Sequence, residues 1–373
     1  MTFSVGIGSN IRKSPYFDAT VADGVRSFSV YNHMYIPGNF GDPAAEYQRL
    51  INGVAMWDVG AQRQVEITGP DAAQLVRYLC ARDLSSNLAG QGRYVPICNH
   101  DGLLINDPVL LQLAQDRFWL SIADSDIELW ASAIAAERGL DLRVFEPDVS
   151  PLAVQGPKAE DVIVALFGDD WPRALRYFGF RECELHGIPL VLARSGWSKQ
   201  GGFELYLRDG SRGGELWERV KRAGAAFDIG PGVPDDIERI ESGLLSYGAD
   251  ARLQRNPANP FELGLGKLVD LDRDDDFIGK QALTRIRAQG VKRRFTGFFI
   301  DGDPVPGSQH PLPLMQDQRV VGSVSEMAWS PRLRRNVALG LVSNEIGNDA
   351  GNLAVDIGAE SRAVSLAPLP FVR

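Results

Sequence analysis

The 373-residue chain predicts an α+β protein of more than one domain that ends in an all-β barrel. Three observations lead there. Through about residue 290, short strand patterns alternate with helical ones, and the strands arrive as hairpins rather than as long parallel crossovers. From Phe295 onward, short apolar strands separated by Gly and Pro turns take over, the pattern of a small barrel or sandwich. The length also exceeds what one hydrophobic core serves, so two or three domains are expected.

Composition narrows the class. The chain is 44% hydrophobic and 23% charged, as soluble globular proteins are. A net charge of −9 argues against nucleic acid or an anionic membrane as the main partner. Cys80, Cys98 and Cys183 are odd in number and far apart, which gives no disulfide framework and fits a reducing cytoplasm. His33, His100, His186 and His310 lack ligand spacing, so no metal is expected. No apolar run is long enough to span a membrane, and the opening MTFSVGIGSNIRKSP does not read as a secretory leader.

Taken in order, residues 31–37 (YNHMYIP) read as a polar-aromatic loop that suits a plain surface or a pocket rim. Pro43–Asn52 has helical periodicity with proline in its first turn. Residues 54–59 (VAMWDV) lead into an alternating strand at 64–67, and Asp71 is placed to cap a helix over Ala72–Leu79. Residues 94–98 read as one strand, 99–102 as a turn and 103–111 as a second strand. Asn106-Asp107 inside that apolar run is unusual, because a buried Asp is rare unless paired or functional. The alternative is a bulge residue bonding its own backbone. A strand at 117–122, a helix at 125–137 capped by Ser125 or Asp126, and a strand at 140–145 follow. Residues 152–155 form a strand that Gly156-Pro157 turns into a helix. Asp235 caps a helix over 236–246, with Ile237, Ile240, Leu244 and Leu245 as its buried stripe. Glu238, Arg239, Glu241 and Ser242 then face elsewhere, and Gly248 terminates the helix. The acidic run 272–276 is a solvated turn, and a last helix passes through Arg287.

The most specific stretch is 193–206, ARSGWSKQGGFELY. Gly196, Gly201 and Gly202 occupy a polar turn between two strands, where glycine lets the backbone adopt positive φ or approach a ligand. Trp197 stands at the mouth, and Glu204 and Tyr206 share one face of the second strand. An aromatic, a carboxylate and a phenol together can bind a flat heterocycle; an ordinary hairpin is the plainer reading.

This stretch resembles the signature of the glycine-cleavage T-protein (aminomethyltransferase) family, roughly R-T-G-Y-T-G-E-D-G-F-E-I-Y. Arg194, Gly196, Gly202, Phe203, Glu204 and Tyr206 stand as that family has them. So do Asp58-Val59, Asp107, the run 155–159, and Arg239, Glu241, Gly243, Tyr247, Gly248 and Asp250. Matches at 259–265, 277–283 and 322–340 extend the resemblance over essentially the whole chain. Trp197, Ser198, Lys199 and Gln200 depart from the family and are similar to the S-G-W-S-K-Q-G-G form of its dimethylsulfoniopropionate (DMSP) demethylating branch.

The resemblance implies two interleaved α+β subdomains that bind folate over residues 1–285 and a β-barrel over 286–373. It implies tetrahydrofolate as cofactor, with Glu204 on the pterin ring and Tyr94, Tyr206 and Arg239 as further contacts. Arg239 would take a folate carboxylate unless an internal ion pair with Glu241 or Asp236 claims it. Asp107 would orient the reacting nitrogen. The implied reaction moves a methyl group from a small carboxylated onium donor, DMSP or similar, to the folate. Trp197, Tyr206, Tyr31 and Trp57 would offer ring faces to the cation, and Lys199 or a nearby arginine would hold the carboxylate. Gln62 stands where the DMSP branch has a carboxylate, which leaves the donor open. Aminomethyl transfer, dimethylglycine- or betaine-type demethylation, and folate binding without turnover are the rivals. The partner is a small-molecule methyl donor, with assembly left between monomer and homodimer.

Overall fold

Two sheets and a closed barrel carry the chain in the computed structural model, which describes residues 8–86, 88–347 and 351–372. The opening residues 1–7, on which the reading of a missing leader partly rests, lie outside that description. Among the described residues, no helix is long and apolar enough to cross a membrane.

The first sheet runs Arg143–Phe145, Gln64–Thr68, Arg117–Ser121, Val109–Ala114 and Arg93–Tyr94, all antiparallel. Helices Ala72–Leu79 and Ile127–Glu137 cover it, and Val65, Ile67, Leu75, Leu79, Leu120 and Ile134 fill the space between. The second sheet runs Phe180–Leu185, Ile188–Ala193, Gly202–Leu207, Ser150–Gln155, Ala55–Asp58 and Gly230–Gly232. Its core brings Leu152, Val154, Leu190 and Leu205 together with Val162 and Ile163 of helix Ala159–Phe167 and Leu216 and Trp217 of helix Gly213–Ala223. Strand Ala55–Asp58 lies in this second sheet although the whole first sheet follows it in sequence, so the chain leaves the second sheet and later returns to it. A small apolar cluster, with Leu111 and Trp119 from one sheet and Val191 and Tyr206 from the other, seals the seam between them. The barrel closes in the order Arg293–Ile300, Arg335–Ser343, Arg319–Ser330, Leu312–Gln316, Leu353–Ile357 and Glu360–Ala367 around Phe298, Leu314, Val324, Val342 and Val355.

Several local expectations change. The strand expected at 94–98 breaks at Pro96 into Arg93–Tyr94 and Ile97–Cys98, which join different sheets. The strand expected at 103–111 breaks at Asp107-Pro108 into Leu104–Asn106 and Val109–Ala114. Proline has no N–H to give a ladder, so both breaks fall where the hydrogen-bond pattern must stop. The loop expected at 31–37 is instead a hairpin, Ser27–Tyr31 against Met34–Asn39, turned by Asn32 and His33 at φ 48° and 59°. Asp71 precedes its helix but accepts from the Asp141 amide at 2.8 Å rather than capping. Asp126 likewise makes no side-chain cap, and Ser125 serves Asn106 instead.

The largest difference is helix Asp236–Ser242. Asp235 caps it as expected, accepting from the Glu238 amide at 2.7 Å. It ends at Gly243 in left-handed conformation rather than continuing to 246. Its buried face is polar: Glu238, Arg239, Glu241 and Ser242 are enclosed with Ile240, whereas Ile237 is only half-buried. The helix lies against the barrel, so residues expected on the outside are covered. Glu241 accepts from Tyr47 at 2.8 Å, from Ser330 at 2.5 Å and from Arg332, tying an N-terminal helix to the barrel. Replacing Glu241 by Ala strands a guanidinium and two hydroxyls in a buried place and should cost about 3 kcal/mol. Urea unfolding checks this, and a loss under about 1 kcal/mol would show that the tie is not structural.

Candidate active site

The break at Asp107 sets up one half of the site. Asn106, fully buried, replaces the lost ladder bonds with its side chain. It donates to the Ala123 carbonyl at 2.9 Å and to Ser125 at 2.7 Å, and accepts from the amides of Asp107 and Ala123 at 2.9 and 3.1 Å. Asp107 is thereby turned off the sheet and accepts from the Tyr94 hydroxyl at 2.6 Å. Tyr31, Tyr94 and Asp107 are each half-buried, so each keeps some surface to offer. Burial pushes the Asp107 carboxyl up to about 7, with the Tyr94 hydrogen bond pulling the other way and the Asp250 charge adding to the rise. Burial also raises the hydroxyls of Tyr31, Tyr94 and Tyr247, each with a further contribution from Asp107. An ionisable carboxylate held by a phenol, with two further phenols that feel its charge, is a suitable host for a small organic cation.

The glycine loop sets up the other half. Gln155 spans its base, donating to the Ser195 carbonyl at 3.0 Å and accepting from Ser198 at 2.9 Å, while the Gly156 amide meets the Gly201 carbonyl at 2.9 Å. A Cβ at Gly202, whose φ is +159°, would stand 2.4 Å from the Gln155 amide nitrogen, so only glycine fits there. Glu204, 6% exposed, follows on strand Gly202–Leu207 and accepts from Ser195 and, at 3.1 Å, from Tyr206, both at Oε2. Among the described residues Oε1 has no hydrogen-bond partner. Burial raises the Glu204 carboxyl above its ordinary range, against the pull of the Ser195 and Tyr206 hydroxyls. Segment 175–179 joins the halves. Gly92 donates to the Phe178 carbonyl at 2.6 Å, Gln91 to that of Tyr177 at 2.8 Å, and Phe178 to that of Arg194 at 2.8 Å. Phe178 takes a left-handed φ of 62° to do so.

Not every expected residue reaches these two places. Tyr206 is 1% exposed and packs at the seam, so it offers no ring face; its hydroxyl is spent on Glu204. Trp57 is 1% exposed among Leu50, Ala55, Val59 and Ala153; the strand buries it in a core, and it offers no face to a donor. Arg239 is fully buried with its guanidinium on Asp250 at 2.9 Å and Asp236 at 3.5 Å, an internal ion-pair arrangement in which Asp250, not Glu241, is the main partner. Lys199 is exposed; its amide donates to Glu238 at 3.2 Å, and with Arg332, Ser242 and Val372 it lines a pocket of about 350 Å³. Trp197 is half-buried, donates to the Leu245 carbonyl at 3.4 Å, and has the Arg239 guanidinium 5.8 Å from its ring centre. Gln62 is half-buried on a loop that Asn32, next to Tyr31, grips through the Ala61 carbonyl at 3.0 Å.

Sequence reasoning missed Ser195, which holds Glu204, and Tyr177, whose hydroxyl the Glu204 charge reaches. It also missed Asp124 and Arg252 beside the Asp107 cluster. The adjacent aromatics Tyr177-Phe178, just before a strand, were the available signal for one of these.

Comparison with known proteins bears on this geometry. Residues 16–273 match the family model of the GCVT N-terminal domain, and residues 293–373 match that of the glycine cleavage T-protein C-terminal barrel domain. The chain is 42% identical over 332 residues, 89% of each chain, to the dimethylsulfoniopropionate demethylase DmdA of Ruegeria pomeroyi. It is 28% identical to the aminomethyltransferase of Saccharopolyspora erythraea, over 98% of this chain and 99% of that one. In structure it resembles the glycine cleavage system aminomethyltransferase T of Bartonella henselae, with a TM-score of 0.83 at 22% identity over 97% of this chain and 98% of the other.

The raised Asp107 carboxyl has a consequence for stability. Its folded value near 7 lies above an unfolded value of about 3.9, so the folded state binds the proton more tightly. Stability from this group is full below about pH 4 and is lost as pH rises through about 7. Asp107→Asn should therefore gain on the wild type between these limits and then level off, ahead by about 1 kcal/mol or more at pH 8. Urea melts from pH 5 to 8 measure the gap; a gap that does not widen with pH would remove the buried-carboxyl account.

Proposed function

The chain belongs to the glycine-cleavage T-protein family, and on that premise we propose that it is a tetrahydrofolate-dependent methyltransferase that demethylates DMSP or a similar small carboxylated onium compound. The observation that carries this reading is the 42% identity to a DMSP demethylase over 89% of both chains, against 28% or less to the aminomethyltransferases set beside it. The half-buried Asp107 carboxyl, held by the Tyr94 phenol, supports it, because a sulfonium is a cation.

The residues fit tetrahydrofolate on an observation independent of the relatives. Glu204 spends one oxygen on two hydroxyls and keeps Oε1 without a partner while nearly buried, which leaves an acceptor for an N–H edge. Tetrahydrofolate supplies the nitrogen that accepts the methyl group. Glu204, oriented by Ser195 and Tyr206, would hold the heterocycle. Asp107, held by Tyr94, would orient the reacting centre and balance the donor's positive charge. Its Coulomb attraction to a cation is worth a few kcal/mol in a partly shielded cleft. A sulfonium already carries its leaving group, so the protein's task is alignment and exclusion of water rather than acid–base chemistry.

Incubating the protein with tetrahydrofolate and DMSP should give 5-methyltetrahydrofolate and methylmercaptopropionate, with dimethylglycine and glycine betaine as comparison donors. Methyl transfer from the amines but not from DMSP would replace the sulfonium reading. Glu204→Ala should weaken tetrahydrofolate binding at least tenfold by calorimetry, in line with about 1.5–3 kcal/mol for a charged hydrogen bond; unchanged affinity would free Glu204 from that role. KM for DMSP should fall as pH rises from 6 to 8, because ionised Asp107 attracts the cation and protonated Asp107 does not. A KM that is flat over this range would sink Asp107 as the group that balances the donor's charge.

A further inference from the structure

A donor such as DMSP carries two opposite charges, its carboxylate carbon three bonds from the sulfur. The Asp107 cluster answers the positive end only. We propose that Arg252 is the residue that holds the donor's carboxylate, an assignment that rests on the functional reading above.

Geometry singles it out from Arg239 and Lys199. Arg239 is fully buried and bound to Asp250 at 2.9 Å. Lys199 is exposed beside Arg332 and Val372, on a loop anchored to Glu238 rather than to anything near Asp107. Arg252 sits on a tight turn whose backbone is fixed by the Tyr247 bridge to Ala251 and by the Asn256 side chain on the Asp250 carbonyl at 2.7 Å. Its guanidinium reaches Asp124 at 3.6 Å, a long ion pair, and makes no hydrogen bond among the described residues. The side chain is 37% exposed, so most of its donor fork is uncommitted. Asp124 in turn accepts from the Asn32 amide at 2.9 Å, next to Tyr31. Asn106, next to Asp107, grips the neighbouring Ala123 through both its amide and its carbonyl. Arg252 and Asp107 therefore flank the same short turn, with Tyr31 close by. Burial raises the hydroxyls of Tyr31 and Tyr247, and on both the Asp107 charge adds to the rise while the Arg252 charge opposes it. A guanidinium grips a carboxylate by two parallel hydrogen bonds, which a lysine cannot reproduce.

The role is one of positioning and specificity, and it is separable from folding by using two donors. Ethyldimethylsulfonium is DMSP without its carboxylate. Arg252→Gln should raise KM for DMSP at least tenfold with a smaller change in kcat, while kcat/KM for ethyldimethylsulfonium moves less than about twofold. Arg252→Lys, which keeps the charge without the fork, should fall between and serves if the Gln variant folds poorly. An equal loss on both donors would make Arg252 a structural partner of Asp124 and overturn the assignment, as would an unchanged KM for DMSP. Wild-type protein that transfers methyl from neither sulfonium would remove the functional reading itself, and this assignment with it.

Discussion

Buried charge organises this molecule, and helix Asp236–Ser242 is where the most deeply buried of it is gathered and tied to other segments. Three of its enclosed side chains are bound to different parts of the chain. Glu238 accepts from Gln200 at 2.8 Å and from the Lys199 amide, which fixes the glycine loop. Arg239 holds Asp250, whose other oxygen takes the Ser325 hydroxyl of the barrel at 2.5 Å. Glu241 binds Tyr47, Ser330 and Arg332, and its carbonyl accepts from Phe371 near the C-terminal end. An uncompensated charge in such a place costs several kcal/mol, so the loop, the barrel and the N-terminal helix cannot drift independently. Apolar packing could hold three units together, but directional bonds to one short helix also fix how they meet.

The candidate site follows the opposite rule. Among the described residues Asp107 makes no ion pair, and it remains a raised carboxyl with one phenol hydrogen-bonded to it. Among the described residues, Glu204 has two hydroxyls on one oxygen and none on the other. Groups left this way cost stability, and they are where a protein commonly keeps binding capacity for something else. The supporting hydrogen bonds from Asn106 and Gln155 are complete by contrast, so both carboxylates are held in place while their own demand stays unmet.

The sequence carried much of this. Strands Ile188–Ala193 and Gly202–Leu207 and their glycine loop were legible because an apolar run, three glycines and an alternating run have few other solutions. Glu204 and Tyr206 were legible as neighbours because strand residues two apart share a face. Asp107 stood out as an acid in an apolar run. Helix Asp236–Ser242 was legible at its start, where Asp235 caps it, but of its expected buried stripe only Ile240 is buried, among polar side chains expected outside. Periodicity assigns apolar residues inward, and it has no knowledge of a barrel that covers the polar side and supplies Ser330 and Arg332 as partners.

What the chain determined by itself is local: element types set by periodicity, breaks set by Pro96 and Pro108, turns set by glycine, and the chemical types gathered near residues 107 and 204. What only the tertiary structure decided is which side chains have surface left to offer. Trp57 was an aromatic beside a motif until Leu50 and Ala153 enclosed it. Arg239 was divided between a folate carboxylate and an internal partner until Asp250 took it. Arg252 was an unremarked residue until the turn at 247–256 brought it to Asp124, beside the hairpin that carries Tyr31. Exposure and pairing come from contacts between segments far apart in sequence, and a single chain read in order holds no record of those distances.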